Sequence, residues 1–470
     1  MPLLRFKPKN RRSKIERNLR NPIRLIVASF AVVILSGTLL LVFPFASANG
    51  QWTSPAVTLF TSTSATCVTG LVLVDTGTYW SSAGQAIILL MIQIGGLGLA
   101  TIAGAFYTFF SRIHSWRQIE LTRESTSNQG WVELTRLLRW TIGFTVTAES
   151  IGALLLIWRF WPVYGSGAIW KGFFQAVSAF CNAGFDLHGT AANGGFVSLT
   201  GFNNDPAVLL VTAGLIVAGG LGFMVWLNIF TRPKGTKLYF HSRLVLKGTA
   251  FLIIFGTMVF LLLEFNNQGS AAALGEIPWQ QRPIASLFQS VTTRTAGFNS
   301  IDQASLSESS KFQSVVLMFI GASPASTGGG IKVTTMAAIV ASIISDIKRE
   351  PSLIMSRHYI RKSTTRRAHT IFAMGMLIVM TSSAIISVVE NDVLPGMPIP
   401  FLDIIFEVTS AFGTVGLTSL GTPNLHLFSQ LILIACMFLG RVGPVAFALS
   451  MAKPEEETKV VYPEANILLG

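Results

Sequence analysis

The sequence predicts an all-α polytopic membrane protein with eight transmembrane helices, arranged as four pseudo-repeats of span, short re-entrant helix and span. Two observations indicate this class. Half of the 470 residues are hydrophobic and 12% are charged, whereas soluble domains carry roughly 25% charged residues. Many apolar runs approach the ~20 residues that a helix needs to cross a bilayer. A β-barrel would instead show short segments of alternating hydrophobicity.

The repeat is visible in four short glycine segments. Their central glycines recur at intervals of 114, 113 and 119 residues, at Gly70, Gly184, Gly297 and Gly416. Each follows a Ser/Thr-rich run that is too short to cross a bilayer, and a long apolar stretch begins some tens of residues later. One such triplet is uninformative. Four in the same setting and at one period predict a fourfold pseudo-repeat with a shared central site.

The elements follow from these features in chain order. The predicted spans cover about 23–43, 83–110, 140–160, 206–230, 244–265, 312–346, 368–389 and 427–451. The short helices begin near Pro55, Trp170, Pro283 and Pro400. A Gly/Ser/Pro/Thr-rich run at 321–330 interrupts the sixth span, so only the third repeat is expected to have a broken span. The predicted boundaries are a basic arm 1–22, repeats 23–111, 112–231, 232–347 and 348–452, and a tail 453–470.

The distribution of charge predicts the orientation. The net charge is +13, which could indicate nucleic acid, but the basic residues stand in blocks between apolar runs. The arm, three loops and the tail hold 28 of the 35 Lys and Arg residues. Such loops face the cytoplasm, so we expect a multi-pass membrane protein with both termini cytoplasmic, surrounded by lipid and without a nucleic-acid partner.

The glycines then lie on the outer side, together with a surplus of acidic residues. These are Asp75, Asp186, Asp205, Glu276, Asp302, Glu308, Glu390 and Asp392. They either raise the local concentration of cations or form an ordinary solvated face.

Re-entrant glycine segments are suited to binding cations. Bare backbone at membrane depth is tolerated only where protein buries it or where it lines water. Glycine permits positive φ, so successive carbonyl groups can be turned toward a common axis, and rings of carbonyl oxygens can replace the hydration shell of a cation. The short helices are then pore helices around a central pore, and their partly negative C-terminal ends face the same centre. No covalent cofactor and no enzymatic activity are expected.

These residues resemble the Trk/Ktr/HKT superfamily of potassium transporters over essentially the whole chain. The stretches that carry the resemblance are TSATCVTGL, MIQIGGLGL, SAFCNAGFD, VAGGLGF, TTRTAGFNS, STGGGIKV, SAFGTVGLTS and FLGRVGPV. Eight spans rather than ten resemble the KtrB type, the membrane subunits of bacterial Ktr potassium-uptake systems, more than TrkH-type subunits. Plant HKT sodium carriers often have serine at the first filter glycine, so glycine at position 70 favours potassium.

The resemblance implies two functional segments. The first is a selectivity filter that binds potassium at the four glycines, formed by Val68, Thr69, Gly70, Asn182, Ala183, Gly184, Thr295, Ala296, Gly297, Thr414, Val415 and Gly416. The second is an intramembrane gate, formed by Gly321, Ala322, Ser323, Pro324, Ala325, Ser326, Thr327, Gly328, Gly329, Gly330, Lys332 and Arg441. Pro324 departs from the family pattern.

The residues of the second segment support the same prediction independently. A Gly/Ser/Pro/Thr run in mid-span breaks helical hydrogen bonding, so it lines a cavity or is packed by protein. It is therefore a mobile plug or a kinked packing helix. Lys332 and Arg441 each cost roughly 2.5–3.5 kcal/mol at the centre of a membrane helix and should face the interior. Arg441 either pairs with loop carbonyls or repels cations, and Lys332 either acts in gating or snorkels to the interface.

The predicted function is potassium uptake through a channel or channel-like transporter. The resemblance implies a location in the bacterial inner membrane, a homodimer, and a cytosolic RCK ring, KtrA- or KtrC-like, that binds ATP and ADP and docks on the basic face. It leaves open whether sodium is an activator. The alternative is a sodium-coupled secondary transporter that uses the break in the sixth span as a discontinuous-helix substrate site. That class usually has two related halves rather than four quarters.

Overall fold

The computed structural model describes residues 22–98, 129–190, 195–233, 235–349, 353–355, 358–393 and 399–451. Its first helices are α1 Pro22–Val42, α2 Pro55–Cys67, α3 Thr76–Tyr79, α4 Ser82–Leu97, α5 Gln129–Tyr164, α6 Ala168–Phe180, α7 Pro206–Gly220 and α8 Phe223–Thr231. There follow α9 Phe240–Glu264, α10 Arg282–Thr292, α11 Glu308–Phe319, α12 Val333–Ile347, α13 Lys362–Val393, α14 Phe401–Gly413, α15 Leu427–Val442 and α16 Pro444–Met451. An antiparallel hairpin pairs β1 Ile354–Met355 with β2 His358–Tyr359.

Some predicted segments lie outside the described residues. These are positions 1–21 of the arm, the part of the second span beyond residue 98, and the tail 453–470.

The helices pack in a cyclic order. The first helix of each predicted repeat lies against the short helix that follows it: α1 on α2, α5 on α6, α9 on α10 and α13 on α14. The second helix of each repeat then contacts the short helix of the next repeat: α4 on α6, α7 on α10, α11 on α14, and α15 back on α2. The four short helices are therefore held by neighbours on both sides around one centre.

The short helices are too short to cross a bilayer. At 1.5 Å per residue, the 13 residues of α2 extend for about 20 Å, whereas the hydrocarbon core of a bilayer is ~30 Å thick. Pro55 occupies the first turn of α2, a position that does not need its missing N–H. The helix ends at Val68, whose φ of 58° is left-handed. The chain therefore turns back just before Gly70.

Among the described residues, three helical stretches are long and apolar enough to cross a membrane, and a fourth qualifies if the bent pair α7 and α8 is one span. One of them, Leu137–Phe180, folds back near Gly165: a Cβ on Gly172 of α6 would lie 2.7 Å from Ile157 of α5. Four shorter apolar helices include Ser82–Leu97 and Leu427–Val442. These findings fit a helical membrane protein, and the count of eight spans remains a prediction.

The expectation that only the third repeat has a broken span is wrong. Helices α7 and α8 meet at an angle of 92°. Three glycines at helix ends have similar positive φ values. They are Gly98 (80°) after α4, Gly222 (90°) before α8 and Gly443 (92°) after α15. Within an apolar run, a glycine that packs closely and a glycine that ends a helix look alike, so the sequence does not reveal which of them ends or bends a helix.

Candidate functional site

The four glycine segments share one backbone conformation. The central glycine has positive φ in each, at 95° for Gly70, 72° for Gly184, 82° for Gly297 and 98° for Gly416. The residue two positions earlier is also left-handed, although none of the four is glycine: Val68 (58°), Asn182 (60°), Thr295 (70°) and Thr414 (52°). This conformation costs an L-residue roughly 1–2 kcal/mol. The surrounding structure must therefore hold each segment in place.

The four glycines form a closed ring. A Cβ built on each one would lie very close to the backbone carbonyl oxygen of the residue before the next glycine. The pairs are Gly70 with Ala183 (2.5 Å), Gly184 with Ala296 (2.8 Å), Gly297 with Val415 (2.2 Å) and Gly416 with Thr69 (2.2 Å). Both the positive φ and the lack of space therefore require glycine here. The last pair joins the fourth segment to the first.

Each segment is tied to the end of its own short helix. The amide of the residue before the glycine donates to a helix carbonyl: Thr69 to Ser64 (2.8 Å), Ala183 to Ser178 (2.8 Å), Ala296 to Thr292 (3.0 Å) and Val415 to Ser410 (2.8 Å). In a planar trans peptide, the N–H and C=O groups point in opposite directions. An amide that points back to its helix therefore turns the carbonyl of the same peptide away from that helix; these are the carbonyls of Val68, Asn182, Thr295 and Thr414.

A cavity of about 340 Å³ opens on the ring, and all four central glycines line it. Two acidic residues, Asp75 and Asp186, line it as well. The backbone carbonyls beside the glycines can replace the hydration shell of a cation that enters from this cavity. No group of three or more His, Cys, Asp or Glu side chains stands ready to hold a metal ion anywhere in the described ranges.

Two of the other predicted acidic residues have structural roles. Asp205 accepts from the Arg159 guanidinium at 2.5 Å and also caps the first turn of α7. Glu390 accepts the amide of His426 at 3.0 Å. The side chain of Asp392 is not among those described. Only Asp75 and Asp186 of the eight therefore face the cavity in the described structure.

Asp186 has an environment that favours its neutral form. Burial is the largest reason that its pKa is raised to about 6, and the charge of Asp75 acts in the same direction. The His188 amide donates to its Oδ1 at 3.0 Å, and this bond, Lys171 and Ser198 all oppose the increase in pKa. Burial and the charge of Lys171 lower the pKa of His188 to about 3. The His188 ring is therefore neutral at physiological pH.

The segment between α11 and α12 is a closed loop whose two ends are adjacent. The amide of Gly321 donates to the carbonyl of Ile331 at 2.8 Å, and that of Val333 donates to Ala322 at 3.2 Å. A Cβ on Gly321 would lie 3.0 Å from the Cα of Gly330. The chain thus leaves the span and returns to it at nearly the same point.

The tip of this loop lies against the glycine segments. A Cβ on Gly328 would lie 2.1 Å from Thr295 Oγ1, and one on Gly329 would lie 2.2 Å from Thr414 Oγ1. The hydroxyl of Thr327 is within hydrogen-bond distance of the Phe180 carbonyl (3.1 Å) and of Asn182 Oδ1 (3.2 Å). The loop therefore touches the left-handed residues of the second, third and fourth segments.

The loop is also bound to the break between α7 and α8. Three backbone hydrogen bonds join them: Ser323 to Gly220 (3.1 Å), Thr327 to Gly219 (3.3 Å) and Phe223 to Ala325 (2.9 Å). A continuous helix would use the Gly219 and Gly220 carbonyls within the helix, so the bend at Gly222 frees them for the loop. The second and third repeats are thus linked through their broken spans.

Lys332 and Arg441 both contact the loop. Lys332 Nζ donates to the carbonyls of Gly328 (2.7 Å) and Gly329 (3.3 Å), so it does not snorkel to an interface. The Arg441 guanidinium donates to the carbonyls of Thr327 and Gly95. Of its two predicted roles, pairing with loop carbonyls is the one the geometry supports.

Sequence reasoning missed several buried polar pairs around the site. Gln93 Nε2 donates to Glu149 at 3.1 Å, and Lys311 pairs with Asp403 at 2.7 Å. Thr422 donates to Glu407 at 2.6 Å in a position that is almost fully buried. An acidic residue within an apolar run is a signal that could have found Glu149 and Glu407.

This chain is similar in sequence to known transport proteins. A family model described as TrkH, a cation transport protein, matches residues 3–461. The potassium/sodium uptake protein NtpJ of Enterococcus hirae is 36% identical, over 96% of this chain and 97% of its own. The Ktr system potassium uptake protein B of Bacillus subtilis is 35% identical, over 96% and 97%.

A solved structure is also similar. The potassium transporter TrkH from Vibrio parahaemolyticus matches with a TM-score of 0.70 at 19% identity, over 94% of this chain and 87% of that one. At this identity the match shows the fold alone. Together with the sequence matches, it confirms the predicted resemblance to the Trk/Ktr/HKT superfamily.

Proposed function

Because the chain belongs to the TrkH family of cation transport proteins, we propose that it is the potassium-conducting membrane subunit of a bacterial Ktr-type uptake system. The observation that supports this most is the closed ring of four glycines, each against the carbonyl of the residue before the next. Backbone oxygens held in this way suit a dehydrated monovalent cation and need no charged ligand.

The filter consists of the four segments already described, with potassium bound at Gly70, Gly184, Gly297 and Gly416. The loop from Gly321 to Gly330 is the gate, because it touches three of the four segments and two partly buried cations, Lys332 and Arg441, hold it. Lys332 and Arg441 stabilise its closed position. Repeats 23–111, 112–231, 232–347 and 348–452 each supply two spans, with the cavity outside and both termini cytoplasmic.

Regulation is assigned to a partner. A cytosolic RCK ring that binds ATP and ADP would dock on the basic cytoplasmic face of a homodimer of this chain. The Bacillus subtilis relative is named for a Ktr system, which is the ground for this part of the proposal. The name of the Enterococcus hirae relative includes sodium, so sodium is either an activator or a second transported ion.

The secondary-transporter alternative receives no support from the geometry. In that mechanism, the break in the sixth span would leave carbonyls and helix ends free for a substrate. Here, Lys332 and Arg441 occupy the carbonyls of Thr327, Gly328 and Gly329. A broken span is also present in the second repeat, so the break does not mark a single substrate site.

Potassium uptake in a bacterial strain that lacks its own uptake systems tests the proposal. We expect this chain to restore growth at low potassium when it is expressed with an RCK subunit, and we expect sodium to change the rate. Uptake that stays at the level of the empty vector with every RCK partner, although the protein is in the membrane, would contradict the proposal.

The cavity predicts a dependence on external pH. Asp186 is charged above its pKa of about 6 and neutral below it, so acidification removes a negative charge from the cavity. We expect potassium uptake at subsaturating potassium to fall about twofold to fivefold as external pH drops through this value. The charged or titratable neighbours of Asp186 are Asp75, Lys171, His188 and Tyr164. His188 stays neutral throughout this range, and the pKa of Tyr164 is raised above its ordinary value by burial and by the charge of Asp186.

Two substitutions make this measurement specific. Asp186→Asn should give the lower rate at every pH and flatten the profile. Glu276→Gln alters an exposed acidic residue that does not line the cavity and should leave the profile unchanged. An Asp186→Asn profile that still falls near pH 6 would show that another group is responsible.

A further inference from the structure

A serine recurs six residues before the central glycine in three of the four segments. These are Ser64, Ser178 and Ser410, and the third segment has Val291 instead. All three serines lie near the end of a short helix and are completely buried. The recurrence alone has an ordinary explanation, because a small side chain suits a crowded helix end.

The three serines differ in the hydrogen bonds that their hydroxyls make. The amide of Gly70 donates to Ser64 Oγ at 3.0 Å, and the amide of Gly416 donates to Ser410 Oγ at 3.0 Å. The same two serines already accept the preceding amide with their backbone carbonyls, from Thr69 and Val415. One residue thus holds two successive amides of the segment. Two peptide planes are fixed in the first and fourth segments.

The second of these peptide planes carries the carbonyl that meets the neighbouring glycine. The Gly70 amide and the Thr69 carbonyl belong to one rigid unit, and the Thr69 oxygen is the atom that a Cβ on Gly416 would approach to 2.2 Å. The Val415 oxygen stands in the same relation to Gly297. A hydroxyl that holds the glycine amide therefore fixes the direction of a ring oxygen.

We propose that Ser64 and Ser410 are positioning residues that set cation selectivity by orienting the Thr69 and Val415 carbonyls. This inference rests on the proposed filter. Smaller and larger monovalent cations require different distances to the surrounding oxygens, so a carbonyl that can rotate accepts both. The serine hydroxyls restrict that rotation in the first and fourth segments.

The other two segments are held differently. Ser178 Oγ has no hydrogen-bond partner among the described residues, so its hydroxyl does not hold the amide of Gly184. In the third segment, the Gly297 amide donates to the Thr292 carbonyl at 3.4 Å, and Thr292 Oγ1 donates to the Phe298 carbonyl at 2.6 Å. The proposal therefore assigns the selectivity effect to two of the three equivalent serines.

Serine-to-alanine variants test this assignment. The full chain, with its RCK partner, is reconstituted in liposomes, and rubidium and sodium fluxes are measured as a ratio. Ser64→Ala and Ser410→Ala should each lower the ratio of rubidium to sodium flux about tenfold, because a glycine amide loses its acceptor. Ser178→Ala should keep the ratio, and Ser64→Thr, which retains a hydroxyl, should restore most of it.

The controls distinguish the possible failures. Ser286→Ala removes a buried hydroxyl on α10 that has no described partner and reports any general loss of stability as a lower total flux at unchanged ratio.

If Gly70→Ser changes the ratio while Ser64→Ala and Ser410→Ala behave like Ser178→Ala, the inference is wrong and the filter stands. If Gly70→Ser also leaves the ratio unchanged, the proposed filter itself is wrong. Should the alanine variants not fold, Ser64→Cys and Ser410→Cys, which offer a weak acceptor, are judged by the same outcomes.

Discussion

Gly70→Ser is expected to lower the ratio of potassium to sodium uptake about tenfold. A serine at φ of 95° is strained, and its Cβ would lie 2.5 Å from the Ala183 carbonyl oxygen. That oxygen must move, and the ring loses its shape at one corner. The backbone strain is roughly 1–2 kcal/mol. If it destabilises bound potassium more than bound sodium by most of this amount, the preference for potassium falls about tenfold.

The measurement is rubidium and sodium flux into liposomes that contain the variant, together with growth of a potassium-uptake-deficient strain over a range of sodium concentrations. Gly50→Ser is a matched control. Gly50 also has positive φ, 65°, but a Cβ there would meet nothing within 4 Å. It therefore carries the backbone strain without the contact. Equal selectivity in Gly70→Ser and Gly50→Ser would remove the basis for a filter at this ring.

The parts of the structure that depend on local sequence could be predicted. Run length and composition indicated helices that are too short to cross a bilayer, and glycine spacing indicated four equivalent segments. The positive φ at Gly70 and its three counterparts agrees with that reasoning.

Long-range features could not be predicted in this way. Gly95 and Gly98 belong to one motif, yet a Cβ on Gly95 would lie 2.0 Å from the Thr66 carbonyl, whereas one on Gly98, at the end of α4, would meet no atom of the described residues within 4 Å. The contact of Arg441 with Gly95 joins residues 346 positions apart. The sequence placed Arg441 within a span, but only the packing of the four repeats decides which carbonyls it reaches.

Removal of the loop between α11 and α12 is expected to raise potassium flux about tenfold in the absence of activating conditions. Deletion of residues 322–329 joins Gly321 to Gly330, and these ends are close enough for one peptide bond, since a Cβ on Gly321 would lie 3.0 Å from Gly330 Cα. The deletion removes the contacts with Thr295 and Thr414 beneath the ring. A tenfold rise corresponds to about 1.4 kcal/mol of lost preference for the closed state.

The deletion also removes both carbonyl acceptors of Lys332 and the Thr327 carbonyl that accepts from Arg441, although Arg441 keeps its contact with the Gly95 carbonyl. An enclosed cation that loses its partners is strongly destabilising. A milder variant therefore accompanies it. Thr327→Val keeps the shape of the side chain and removes the hydroxyl that reaches Phe180 and Asn182. One lost hydrogen bond contributes about 1 kcal/mol, so flux should rise about fivefold.

Ser326→Ala separates gating from a general loosening of the loop. Among the described residues, its hydroxyl donates only to the Ser323 carbonyl within the loop, at 2.6 Å, so this substitution should leave flux unchanged. Flux is measured in liposomes, with and without the RCK subunit, on protein that elutes as the parent does. If both the deletion and Thr327→Val lower flux while the protein remains folded, the loop supports the pore rather than closing it. The Thr327 hydroxyl would then belong with Ser64 and Ser410, as a side chain that holds the filter in shape.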